Sequence, residues 1–179
     1  MPNGKHGYRP VPGSHRAVAS GAQRIKDASP QAQVEVTLVL RRRSDSGSTP
    51  ASSAPMDRAE AERVLGADPA DVDKIEDFAH EHGLTVTSVD LAARSVGLVG
   101  TVAQMNAAFA VNLGEYRHAD TLFRGREGDI QVPDTVAPVI RAVLGLDERQ
   151  QARAHFRVAG PPSGSGAVRA HAASRSFAP

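Results

Sequence analysis

The 179-residue chain contains no cysteine and no tryptophan, and only 4% of its residues are aromatic. Without cysteine there is no disulfide, no thiolate metal site and no Cys nucleophile, and the chain is indifferent to the redox state of its compartment. With so few aromatics, a core drawn from the 40% hydrophobic content must consist mainly of Val, Leu, Ile and Ala, which favours sheet with helices. An excess of either charge is also lacking. The 21 basic and 20 acidic side chains leave a net charge of +1, so no global field draws the chain to nucleic acid or anionic lipid. Long apolar runs are missing too: nothing approaches the roughly 18 consecutive apolar residues of a membrane span, and the opening MPNGKHGYRP lacks the apolar core of a signal peptide. The expectation is a soluble chain holding one domain with tails.

What is present is a sequence of alternating patterns. Residues 1–32 hold Pro2, Pro10, Pro12, Gly4, Gly7, Gly13 and Gly21 without sustained periodicity, which predicts an extended arm. In QVEVTLVLR, Val34, Val36, Leu38 and Leu40 alternate with Glu35, Thr37, Val39 and Arg41, the period of a half-buried strand. The Ser/Pro/Gly-rich residues 41–55 then predict a mobile loop. A short helix is expected over 57–66, where Asp57 and Glu60 have capping-box spacing. A better-written one comes next, with Asp68 as N-cap, Pro69 at the first helical position, Val72, Ile75 and Phe78 on one face, and Gly83 as its stop.

LTVTSVD and SVGLVGT read as a hairpin joined by LAAR, and Thr101 with Gln104 forms a second capping box ahead of a helix carrying Val102, Met105 and Phe109. VNLGEYR returns to strand character, and TLFRGREGDIQV predicts a smaller hairpin turning at GREGD. Val139, Ile140, Val143 and Leu144 cluster at helical spacing before Gly145, predicting a last helix. The resulting fold class is α+β: a ferredoxin-like antiparallel sheet with helices on one face, plus an extra hairpin and helix, a flexible N-terminal arm and a C-terminal linker. The boundaries expected are an arm over 1–32, a folded domain over 33–157 and a linker over 158–179. One sheet face is covered by helices, which leaves the other solvated or open to a partner.

No catalytic constellation emerges. His80 and His82 are two apart on a helix and point to different faces, so no metal is assigned. Asp68, Asp71, Asp73, Glu76 and Asp77 lack the glycine and terminal Glu of a calcium loop and read as a solvated helix face. GREG, SGSG and GSTP lack the context and Lys of a phosphate loop. Arg41–Arg43 offer cations, but the strands have no interleaved aromatics for stacking bases, which argues against nucleic acid.

Several stretches in order nevertheless resemble one family. They are PVPGSHR (10–16), VTLVLRR, HGL (82–84), GTVAQMNAAF (100–109), YR, FRGREG (123–128), VP (132–133), AVLGLD (142–147) and RAHF (153–156). Together they resemble the activation domains of sedolisin peptidases, of the pro-kumamolisin type. The positions carrying the likeness include Arg41, Gly100, Phe109, Tyr116, Arg124, Gly125, Pro133, Gly145, Asp147 and Phe156. The resemblance implies a prodomain that assists folding of an acid-acting serine-carboxyl endopeptidase, packs its sheet on that domain's surface helices and keeps the cleft closed until a linker is cut.

The family's catalytic Glu, Asp and Ser lie in the peptidase domain, and its Gly-Thr-Ser motif has no counterpart here, so a non-catalytic role is expected. By the same likeness SRSFAP (174–179) resembles the first residues of a mature enzyme, implying a truncated or split gene, or action in trans. Val168, Arg169, Ala170, His171, Ala172, Ala173 and Ser174 are the expected processing linker. The expected partner is a sedolisin-like catalytic domain, in cis or in trans, with no nucleic acid, membrane or small-molecule substrate. No cofactor is expected, calcium belonging to the peptidase domain, and an extracellular location is implied by the likeness alone. The alternatives are a stand-alone ferredoxin-like interaction module or a trans-acting protease inhibitor.

Overall fold

Alternating burial along one strand organises the molecule. A computed structural model describes residues 7–18, 20–43, 57, 59 and 65–149, which lie in the unit ending at Arg149. Its elements are β1 (Tyr8–Pro10), β2 (Ala22–Asp27), β3 (Gln33–Leu40), α1 (Pro69–Glu81), β4 (Thr85–Asp90), β5 (Ser95–Thr101), α2 (Val102–Phe109), β6 (Gly114–His118), β7 (Thr121–Gly125), β8 (Gln131–Pro133) and β9 (Ile140–Leu144). In β3, Val34, Val36, Leu38 and Leu40 are buried, while Gln33 and Glu35 are exposed and Thr37 and Val39 half-buried. The sheet runs β4-β5-β3-β9 with every neighbour antiparallel. This α+β arrangement is compatible with the ferredoxin-like plan, since the β3–β4 and β5–β9 crossovers each skip one strand and each carry a helix.

The helices α1 and α2 form as their caps dictate. The Asp68 side chain accepts from the Ala70 N–H, and Pro69 opens α1. Thr101 and Gln104 bond reciprocally across the first turn of α2. Val72, Ile75, Phe78 and Ala79 of α1 and Val102, Met105, Ala108 and Phe109 of α2 join the inward side chains of β3 and β5 in one core. Burying a side chain of this size contributes roughly 1.5–3 kcal/mol, so this seam dominates the fold's stability.

Four expectations change. The predicted last helix is a strand: residues 134–139 are turns and Ile140–Leu144 pair with β3. Val139, Ile140 and Val143 are β-branched, Pro138 denies a helix its N–H, and the edge of β3 needs a partner, so pairing outweighs the apparent helical spacing. The smaller hairpin is β6–β7, turning at Ala119–Asp120. The strand after GREGD is β8, and it pairs with β1. The predicted arm holds two strands, with β2 pairing β6 in a second sheet of order β2-β6-β7. All of β2 except Ala22 is exposed, so no burial periodicity marked it. Lastly, Asp71 is buried at 1% exposure rather than solvated. The helix expected over 57–66 and the loop expected over 41–55 lie mostly outside the described residues, and everything beyond Arg149 lies outside them.

Candidate interaction surface

The two faces of the four-stranded sheet differ in chemistry. Register puts Glu35, Val99 and Thr85 in one cross-strand row, Leu144, Thr37, Gly97 and Ser88 in the next, and Ala142, Val39, Ser95 and Asp90 in a third. These side chains point away from the core. Thr85, Ser88, Asp90, Glu35 and Leu144 are exposed, and Thr37, Val39, Ser95, Val99 and Ala142 half-buried. The paired positions of this face hold no aromatic. A slip in register between Val86 and Ser88 brings both the Thr87 and Ser88 hydroxyls over Gly97, where an added Cβ would meet them at 2.7 and 2.5 Å. Leu144, 54% exposed, is the large apolar group of this surface.

The residues that carried the sequence likeness are dispersed around this sheet rather than gathered at one site. Arg41, at the end of β3, donates from Nε and Nη2 to the two carboxylate oxygens of Asp71 at 2.7 and 3.1 Å, and Lys74 Nζ donates to Oδ1 at 3.0 Å. Burial pushes the Asp71 carboxyl up, but its bonds to Arg41 and Lys74 prevail and hold it below the usual carboxylate value. This pair fastens β3 to α1. Gly100 lies beneath Leu84, and Phe109 is wholly buried against Phe78, with ring centroids 5.7 Å apart.

Tyr116 stacks on Phe123, donates to Glu127 at 2.9 Å and accepts from Arg24 at 3.3 Å. Burial first, then its bond to Glu127, raises the phenol above its ordinary value. Gly125 packs against those two rings, and Pro133 ends β8 opposite Tyr8. Gly145 has φ +97° and lies against the backbone of β3, where a Cβ would come within 2.5 Å of the Glu35 carbonyl oxygen, so a side chain is excluded on both counts. Phe156 and the linker residues 168–174 lie outside the described residues.

Sequence reading missed a cluster of arginines that secures the end of the unit. Arg126, 3% exposed, donates to the Ser14 and Gly128 carbonyls at 2.6 and 2.7 Å, and desolvation lowers its guanidinium pKa. Arg149 donates to the Ala17 carbonyl at 2.9 Å and lies over the Phe123 ring, while Asp147 accepts from its backbone N–H. Arg124 bridges the Gly145 carbonyl and Glu148. The Ser14, Ala17 and Gly145 carbonyls among their partners come from distant segments, which no sequence pattern announces.

Among the described residues no side chains are brought together as a reaction centre. Among the described residues there is no group of three or more His, Asp or Glu placed to hold a metal ion. His80 is exposed, and His82 Nδ1 lies 3.0 Å from the Phe78 carbonyl oxygen at the end of α1. A shallow groove of about 270 Å³ is lined by Ala28, Ala32, Val102 and Leu122, with Arg124 and Glu148 at its edge already paired to each other.

Comparison with known proteins gives the family. The family "Pro-kumamolisin, activation domain" matches residues 20–149. Kumamolisin of Bacillus sp. (strain MN-32) is 40% identical over 136 residues, which cover 70% of this chain and 25% of that protein. Tripeptidyl-peptidase sed5 of Aspergillus fumigatus is 24% identical over 165 residues, 78% of this chain and 28% of that protein. The chain thus spans about a quarter of the length of the curated relatives it matches.

Proposed function

Because this chain belongs to the pro-kumamolisin activation domains, the prodomains of sedolisin-type peptidases, we propose that it chaperones and inhibits a sedolisin-like acid endopeptidase by docking its open sheet face on the catalytic domain. The observation that carries the reading is the family match over residues 20–149, joined to a sheet whose second face is exposed or half-buried at its paired positions, Gly97 apart. Such a face suits helices laid across it. Docking holds the chain beyond Arg149 at high effective concentration near the cleft, so a segment of modest intrinsic affinity competes well with substrate.

Residues 168–174 supply that segment. They are small except for Arg169 and His171, and a protease cleft binds its substrate extended. Cutting there, after acid weakens carboxylate–cation pairs across the contact, releases the inhibitor. The chain itself takes a non-catalytic part. The reading is tested by adding the chain to mature kumamolisin, lacking the segment this chain matches, at near-neutral and at acid pH. Inhibition near neutrality that fades in acid is expected, and no inhibition at either pH would refute it.

A further inference from the structure

At its paired positions the open face carries charge of one sign. At the paired positions of β3, β4, β5 and β9 that point away from the core, the ionisable side chains are Glu35, on a central strand, and Asp90, at the end of an edge strand. The rest are Gln33, Thr37, Val39, Ser95, Gly97, Val99, Thr101, Thr85, Ser88, Ala142 and Leu144, and no basic residue holds such a position. Arg141 falls in the irregularity of β9, outside the paired register. Arg124, which reaches the Gly145 carbonyl beside the Glu35 backbone, is paired with Glu148. Glu35 itself is exposed, its row neighbours Val99 and Thr85 carry no charge, and Gly145 projects no side chain beside it.

A partner covering this face strips water from a carboxylate in the middle of an uncharged surface. That is costly unless the partner brings a cation to it. We infer that the partner surface seated on this sheet is a helical face of a peptidase catalytic domain that places a Lys or Arg opposite Glu35, making Glu35 the residue that selects the partner. The inference rests on the docking reading above. The remaining three quarters of the relatives' length supplies a candidate for the occupant. Asp90, at the margin and nearer solvent, contributes less, because rim charges act mainly on the rate of encounter.

The test titrates mature kumamolisin, lacking the matched segment, with the full-length chain and its Glu35→Gln, Glu35→Lys and Asp90→Asn variants at near-neutral pH. Far-UV circular dichroism and thermal melting confirm that each variant folds. We expect Glu35→Gln to weaken inhibition at least about tenfold, Glu35→Lys to weaken it further, and Asp90→Asn to change it less than about threefold. Wild-type inhibition undiminished in Glu35→Gln and Glu35→Lys overturns the inference while leaving docking intact. No inhibition by the wild-type chain overturns docking as well. Sedimentation of the chain alone as a dimer that Glu35→Lys dissociates would assign the face to a second copy and overturn the proposed occupant.

Discussion

The two faces of the β4-β5-β3-β9 sheet come from the same strands and serve opposite ends. Inward, Val34, Val36, Leu38, Leu40, Val96 and Leu98 are at most 1% exposed and meet two capped helices. Outward, Glu35, Thr37, Val39, Ser95 and Val99 are exposed or half-buried and meet none of them. One face holds the domain together and the other is available. The difference teaches that stability and recognition can be separated by a single step in register, so substitutions on the two faces should have distinct consequences.

The largest effect on folding belongs to the inward face. Leu38→Ala, at a position with no exposure, should cost about 4 kcal/mol in urea unfolding through lost burial and a cavity. Asp71→Asn breaks the paired charges joining β3 to α1 and, because Arg41 and Lys74 remain partly solvated, should cost about 2 kcal/mol. That pair also has a pH signature. Because the Asp71 carboxyl is depressed in the folded state, its contribution is complete above the unfolded value of 3.8 and is lost as pH falls below it, through the lower folded value. Unfolding measured down the acid range should therefore show a steeper decline for wild type than for Asp71→Asn.

Tyr116→Phe, in the second sheet, removes the bonds to Glu127 and Arg24 and should cost about 1 kcal/mol. Smallest is Thr37→Ala on the outward face, which should shift stability by less than about 0.5 kcal/mol. A large loss there would erase the distinction between the faces.

Legibility in the sequence divides along the same line. The β3 alternation, the Asp68 cap and the Thr101–Gln104 box are local devices, and each produced its element where its residues stood. The strand β9 was hidden because Val139, Ile140, Val143 and Leu144 satisfy helical spacing as well as a short strand. Its fate was decided by the vacant edge of β3, a tertiary fact. Strand β2 was invisible because an edge strand exposed on nearly every residue has no apolar period. Asp71 looked solvated within an acidic run, since the chain gives no sign that Arg41, across the crossover, reaches it. Of the candidate surface, its existence was legible from β3 alone. Its composition required the register of four strands.

The absence of cysteine permits a direct test of the central claim that this chain inhibits by its outward sheet face. A single Cys is introduced at Leu144, 54% exposed on that face, or at Asp73, exposed on α1, and each is labelled with a bulky maleimide. Inhibition of mature kumamolisin is then measured. The account predicts that the label at position 144 abolishes inhibition and that the label at position 73 leaves it intact. Full inhibition by the chain labelled at 144 would contradict it.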